Sequence, residues 1–125
     1  MSTDTFESIF GPNLRRGKEE VNSTAALAGA KYVGIYFGAH WAPPCRLFNE
    51  KLADFYKRAN DSGARNIEVV FVSVDGNGAA FERHFEKHGP WLAVPYKDTA
   101  RIASLKQRYG INGLPTLIIL DESVA

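Results

Sequence analysis

Residues 38–46, GAHWAPPCR, join two segments with different hydrophobic patterns. The segment before them, residues 32–37 (YVGIYF), is a short and almost unbroken apolar run, which is typical of a strand covered on both faces. In residues 44–60, after them, apolar side chains recur at helical spacing and charged side chains occupy the other side. Pro43 and Pro44 suit the first turn of that helix, where a backbone N–H has no helical partner to lose. The junction is therefore predicted to lie at the carboxyl end of a strand, where ligand sites of open α/β sheets collect.

The later part of the chain continues this alternation of strands and helices. Residues 67–74, IEVVFVSV, are rich in β-branched residues and predict a buried strand, and residues 116–120, TLIIL, predict the last strand. Between them we expect a short helix, an extended apolar connection and a further helix that begins at Asp98 or Thr99 and ends at Gly110. This order predicts an α/β fold with a central mixed sheet flanked by helices.

Residues 1–18 are interpreted as an N-terminal lead, and residues 19–125 as one domain. Four apolar side chains of the lead predict a short amphipathic turn that docks on the domain: Phe6, Ile9, Phe10 and Leu14. Gly11-Pro12 interrupts this turn, so a long helix is not expected there.

Composition narrows the possible functions. A chain of 125 residues with 45% hydrophobic content suits one globular core, and a formal net charge of +1 favours neither nucleic acid nor an acidic partner. No apolar run approaches the roughly 20 residues that span a bilayer, and the first 20 residues lack the apolar core of a secretory signal, so we expect no membrane partner. The single cysteine cannot form an internal disulfide, which fits a cytoplasmic location.

Several segments together point to one family. Residues 36–46, YFGAHWAPPCR, strongly resemble the Trp-Cys-Pro-Pro-Cys-Arg active site of tryparedoxins and nucleoredoxins, members of the thioredoxin superfamily. The resemblance runs from about Leu14 to Leu120 and includes three further segments: VVFVSVD at 69–75, PWLAVPY at 90–96 and YGINGLPTL at 109–117. It implies a thioredoxin-like fold and thiol–disulfide oxidoreductase activity.

The family's chemistry needs two cysteines, and only one is present. In the family, the first cysteine at the helix N-terminus attacks a substrate disulfide as a thiolate, and the second then resolves the mixed disulfide. The resemblance places Ala42 at the nucleophile position and Cys45 at the resolving position. An alanine methyl can neither ionise nor attack sulfur, so the two-cysteine cycle is impossible in this chain. We expect Cys45 to be shielded and to react slowly.

The resemblance also implies a substrate groove around the motif and a cis peptide bond before Pro115, in line with the family's cis-proline. The residues assigned to this groove are Trp41, Pro43, Pro44, Arg46, Leu114 and Pro115. Trp91, in contrast, is expected to be structural. Tyr36 lies six residues before Ala42, where thioredoxins proper carry a buried carboxylate, and this agrees with tryparedoxins.

The implied partners are a dithiol donor such as trypanothione and a peroxiredoxin-type protein. One departure weakens the case for trypanothione, because Gly76-Asn77-Gly78 stand where tryparedoxins carry acidic residues suited to a polyamine-bearing thiol.

No cofactor is expected. His84 and His88 have a spacing that can hold zinc, but no third ligand is apparent and we expect no metal.

A thioredoxin fold normally continues with one more strand and a helix after the segment that resembles residues 117–120. The given chain stops at Ala125, so these two elements are expected to be lacking. The strand at 116–120 would then be an exposed apolar edge, which predicts low stability or self-association through that edge.

Three functional interpretations remain open from the sequence. The first is a tryparedoxin-like oxidoreductase domain that is redox-disabled at Ala42. The second is a natural, redox-silent module that binds a peptide in the groove between Trp41, Pro43 and Pro115. The third is monothiol chemistry at Cys45, such as glutathionylation, which requires the shielded sulfur to be reached.

Overall fold

The computed structural model describes residues 6–17, 19–39, 43–61, 66–74, 79, 81–82 and 91–121. Within these ranges the helices and strands follow one another as α1 (Phe6–Phe10), β1 (Asn13–Arg16), β2 (Glu19–Asn22), α2 (Ser23–Leu27), β3 (Tyr32–Gly38), α3 (Pro43–Ala59), β4 (Ile67–Ser73), β5 (Leu92–Ala93), α4 (Thr99–Arg108) and β6 (Thr116–Asp121). No helix in these ranges combines the length and the apolar character needed to cross a bilayer.

The strands form one sheet in the order β2-β1-β5-β4-β3-β6. Strand β4 pairs in parallel with β3 and β5, whereas β6 pairs antiparallel with β3, and β1 pairs antiparallel with both β2 and β5. The predicted α/β fold with a central mixed sheet is therefore confirmed, and the carboxyl ends of β3 and β4 lie at the same edge of the sheet.

Alternate residues of the central strands pack against two different layers, because successive side chains of a strand point to opposite faces. Every residue of β4 is buried. On one face, Ile35 and Val72 belong to a cluster that includes Leu105 of α4. On the other face, Tyr36 and Phe71 belong to a cluster with side chains of α3. Helices α3 and α4 therefore cover opposite faces, as the apolar pattern of β3 and β4 indicated.

The N-terminal segment differs from the sequence interpretation. The predicted docking turn is present as α1, with Ile9 and Phe10 buried. However, β1 and β2 form a hairpin whose β1 strand joins the sheet beside β5, so the boundary placed at residue 18 falls inside the hairpin. Hydrophobic periodicity did not indicate these strands, because Leu14 is the one fully buried residue of β1 and β2 has none. Tertiary pairing, rather than a strand-like pattern, determines their conformation.

An ion pair connects β1 of this polar hairpin to β4 at the centre of the sheet. The side chain of Glu68 in β4 is 3% exposed, and its carboxylate lies 3.2 Å from Nη2 of Arg16 in β1. The hydroxyl of Tyr56 on α3 donates a second hydrogen bond to the same carboxylate at 3.0 Å. A buried carboxylate needs such partners, so Glu68 links β1, β4 and α3.

Strand β6 lies at the edge of the described sheet and pairs with β3 on one side. Two large apolar side chains of these neighbouring strands are substantially exposed, Ile119 at 48% and Tyr32 at 41%. The expected apolar edge is thus present among the described strands, and self-association through it stays a prediction.

Candidate active site

The cysteine lies where the sequence predicted, at the junction of β3 and α3. Strand β3 ends at Gly38, and α3 begins at Pro43, with Cys45 as its third residue. Both prolines of the first turn are exposed, but Cys45 has 0% of its surface exposed. Because Pro43 and Pro44 carry no N–H, they leave fewer unpaired donors at this helix end. A thiol with no exposed surface is inaccessible to a bulky disulfide without local opening of the structure.

Tyr36 of β3 contacts the cysteine from inside the protein. Its hydroxyl donates a hydrogen bond to the carbonyl oxygen of Cys45 at 3.1 Å. Burial, first, and the charge that Cys45 would carry as a thiolate, second, raise the pKa of Tyr36 above the usual range of a phenol. Tyr36 therefore stays protonated at physiological pH, and it supplies a hydrogen-bond donor where a thioredoxin proper carries a carboxylate.

Close packing fixes the position of the Tyr36 ring. A Cβ atom added to Gly38 would lie 3.2 Å from Cε1, Cζ and Oη of Tyr36. The ring also makes edge contacts with Phe48 at 5.5 Å and Trp91 at 6.4 Å between centroids. The prediction that Trp91 is structural is confirmed, since it is 1% exposed in the cluster that also holds Tyr36. The sequence did not reveal the role of Gly38, because only the close approach of the Tyr36 ring makes it visible.

A groove lies on the outer side of the junction. It is a cavity of about 500 Å³, lined by Pro43, Pro44, Val74, Lys106, Ile111, Asn112, Gly113 and Leu114. The Leu114–Pro115 peptide bond at its end is cis. The hydroxyl of Thr116 donates a hydrogen bond to the carbonyl of Gly113 at 2.6 Å and so holds the loop before β6 in a turn. The start of α3 and this loop, remote in sequence, thus form the two walls of one groove.

The structure brings some of the predicted groove residues together. Pro43, Pro44 and Leu114 line the groove, while Pro115 is half-buried and does not line it. Arg46 is exposed on α3 and does not line it either. Trp41 and Ala42 lie outside the described residues.

Sequence reasoning missed other residues of the groove, including Val74 just after β4 and Lys106 on α4. No local pattern marks them, because Val74 is placed by the pairing of β4 with β3, where its N–H donates to the Gly38 carbonyl at 2.9 Å, and Lys106 by the packing of α4 against the sheet.

A second, smaller cavity adjoins the groove. It has a volume of about 340 Å³ and is lined by Ser73, Val74, Tyr96, Thr99, Ile102, Ala103 and Lys106. Val74 and Lys106 line both cavities. We refer to it below as the side cavity.

The two histidines considered as metal ligands, His84 and His88, lie outside the described residues. In the part of the chain that the structure describes, no three His, Cys, Asp or Glu side chains are grouped so that they could hold a metal ion.

Comparison with known proteins gives consistent matches. Residues 29–124 match the model of a family described as thioredoxin-like. Nucleoredoxin of Danio rerio is 47% identical over 115 residues, covering 92% of this chain and 27% of that protein. Tryparedoxin of Trypanosoma brucei brucei is 39% identical over 109 residues, covering 87% of this chain and 72% of that protein. The chain therefore spans about a quarter of the length of the nucleoredoxins it matches and most of the tryparedoxin.

A solved structure extends these matches to the fold. Tryparedoxin II in complex with glutathionylspermidine superimposes with a TM-score of 0.81 at 32% identity, covering 90% of this chain and 76% of that chain. The similarity thus includes the arrangement of the sheet and helices as well as the sequence.

Proposed function

This chain is a tryparedoxin- and nucleoredoxin-like member of the thioredoxin-like family, and on that premise we propose that it is a thiol–disulfide oxidoreductase domain disabled at its nucleophile position. The observation that carries the proposal is the single cysteine of the chain, Cys45, buried at the start of α3. It occupies the resolving position, and Ala42 occupies the position of the attacking cysteine.

The missing step follows from the chemistry of disulfide exchange. In the two-cysteine cycle, the first thiolate attacks a disulfide sulfur, that S–S bond breaks, and one substrate sulfur leaves as a thiolate. The second cysteine then attacks the mixed disulfide, so that two electrons pass to the substrate and a disulfide forms in the protein. A dithiol donor reverses these exchanges and restores both thiols. Ala42 cannot perform the first attack, and the burial of Cys45 argues against its performing the attack instead.

The partners of the parent activity are inferred from the family. The glutathionylspermidine complex of tryparedoxin II supports a low-molecular-weight thiol as the electron donor. We propose a dithiol of the trypanothione kind as donor and a peroxiredoxin-type protein as acceptor. A cytoplasmic location, where thiols stay reduced, suits this chemistry.

Restoring one sulfur atom tests the proposal. We expect Ala42→Cys to reduce insulin and a peroxiredoxin when dithiothreitol or trypanothione is supplied, while the unmodified chain does not exceed the donor alone. Ala42→Ser is the matched control, since it has a similar volume and no redox chemistry.

Trapping then assigns Cys45. The Ala42→Cys variant combined with Cys45→Ser should accumulate a mixed disulfide with substrate, detectable by intact mass, because no resolving thiol remains. Rapid release of substrate from this double variant would show that Cys45 is not the resolving residue.

A second candidate function is a redox-silent binding module. It is favoured by the groove itself, which lies beside the cis Leu114–Pro115 bond. An inert Ala42→Cys variant that still binds a peptide in this groove would favour this candidate over the first.

A further inference from the structure

The groove beside Leu114 continues past Val74 into the side cavity. The two cavities measure about 500 and 340 Å³ and share Val74 and Lys106. A chain segment that lies against Leu114 and continues along α4 therefore meets the side cavity next. Lys106 stands at the boundary between the two cavities.

One stripe of α4 forms the wall of the side cavity. Thr99, Ile102, Ala103 and Lys106 are spaced three, four and seven residues from the first, so they share a helix face. From Lys106 to Thr99 this stripe measures about 10 Å, at about 1.5 Å per residue. An extended polypeptide covers that length with about three residues, at about 3.3 Å each. A segment that leaves the groove at Lys106 therefore spans the side cavity with about three residues.

One lysine carries the charge of the described lining residues. Among the residues that the structure describes, Lys106 is the only charged one that lines the two cavities. It is half-buried, and its amine forms no hydrogen bond or ion pair with the residues that the structure describes. Serine, threonine and tyrosine supply the other polar side chains of the side cavity, at Ser73, Thr99 and Tyr96. A half-buried ammonium group whose described neighbours in the two cavities are neutral favours a carboxylate and disfavours a second cation.

We propose that Lys106 is a specificity-determining residue that selects polypeptide partners carrying an acidic side chain close to the position seated beside Leu114, where the groove meets the side cavity. This inference deepens the proposed function and rests on its groove.

The test uses the chain as it exists and needs no redox step. Short extended peptides with a central S-methylcysteine, flanked on both sides by Glu, by Gln or by Lys, are titrated while backbone amide signals are followed by NMR. We expect the Glu peptide to bind about twofold to fivefold more tightly than the Gln peptide, with the Lys peptide weakest, as a partly exposed ion pair gives. Raising the salt concentration should reduce the difference.

Two variants assign the effect to Lys106. Lys106→Gln should make the Glu and Gln peptides bind equally, whereas Lys51→Gln, an exposed lysine on α3 that lines neither cavity, should leave the preference unchanged. Equal affinities in the unmodified chain, an undiminished preference in Lys106→Gln, or no measurable binding of any peptide would each overturn the proposal.

Measurements on the Ala42→Cys variant distinguish a failure of the role of Lys106 from a failure of the proposed oxidoreductase function. Disulfides of the same peptides are offered to the Ala42→Cys variant, and kcat/KM is compared between acidic and basic peptides. Activity without charge preference overturns the role of Lys106 and leaves the oxidoreductase proposal standing. No activity, together with Lys106-dependent binding in the unmodified chain, overturns the oxidoreductase proposal and leaves the acidic-peptide site standing.

Discussion

The inner and outer sides of the junction of β3 and α3, where Cys45 lies, differ in their exposure to solvent. On the inner side, Tyr36 and Trp91 are buried in an aromatic cluster that holds the start of α3 through the Cys45 carbonyl. On the outer side, Pro43, Pro44 and Leu114 line an open groove. The only sulfur of the motif belongs to the closed side. Under the proposed function, alanine in place of cysteine at position 42 removes the redox chemistry and leaves the binding surface in place.

We expect the largest loss in the free energy of unfolding from substitutions on the inner side of the junction. Trp91 is 1% exposed and contacts the rings of Tyr36 and Tyr56. We expect Trp91→Ala to lower the free energy of unfolding by about 3–5 kcal/mol. Leu114→Ala, in the half-buried wall of the groove, should cost about 1 kcal/mol. Urea unfolding followed by circular dichroism measures both, and similar costs would remove the distinction between the two sides.

A single methyl group tests how tightly the inner side is packed. Gly38→Ala would place its Cβ 3.2 Å from three atoms of the Tyr36 ring, so the ring must move. We expect a loss of about 1–3 kcal/mol in the free energy of unfolding. Because both changes act on the same contact, the combined cost of Gly38→Ala and Tyr36→Phe should be smaller than the sum of the single costs. Additive costs would show that Gly38 does not contact Tyr36 in solution.

The hydroxyl of Tyr36 should make a smaller, pH-dependent contribution to the free energy of unfolding. Tyr36→Phe removes the hydrogen bond to the Cys45 carbonyl and should cost about 1 kcal/mol at pH 7. The pKa of Tyr36 is raised in the folded chain by burial, so its contribution to stability is complete below the ordinary tyrosine pKa. Above about pH 10 the unfolded chain ionises first, and this contribution should fall by about 1.4 kcal/mol per pH unit.

The measurement is the difference in unfolding free energy between the unmodified chain and Tyr36→Phe from pH 7 to 11. The other titrating groups are common to both chains and cancel in the difference. A difference that does not change with pH would mean that Tyr36 is accessible to solvent.

The smallest change in folding energy is expected at the sheet edge, away from the junction. Ile119 is 48% exposed on β6, and Ile119→Lys should change the free energy of unfolding by about 0.5 kcal/mol or less. It should nevertheless reduce self-association in sedimentation velocity, because a charge on an exposed edge opposes strand pairing. A monodisperse monomer in both chains would contradict the expected association.

The elements next to the site were predictable because their residues follow strong local patterns. The unbroken apolar runs of β3 and β4 and the helical spacing of α3 determine the centre of the fold. The ends of α4 were also visible, since the side chain of Asp98 accepts a hydrogen bond from the Arg101 N–H, and Gly110 adopts a φ of 60°. In these segments, local propensity and tertiary structure agree.

The hairpin and the groove could not be predicted in the same way. Strands β1 and β2 are mostly polar, and their conformation depends on pairing with β5 and on the Arg16–Glu68 ion pair. Val74 meets the start of α3 through the pairing of β4 with β3, and Lys106 meets it only after α4 has packed on the sheet. Family resemblance indicated where the chemistry belongs, but contacts between distant segments determine which residues surround it.

Disulfide reductase activity of the unmodified chain beside Ala42→Cys measures whether the missing sulfur at position 42 is what disables the site. We expect turnover of insulin by Ala42→Cys with dithiothreitol as donor, and none above the donor alone by the unmodified chain or by Ala42→Ser. Turnover by the unmodified chain would contradict it, because the buried thiol of Cys45 would then be the attacking group. A folded but inactive Ala42→Cys variant would equally contradict the claim that one missing sulfur disables an otherwise complete site.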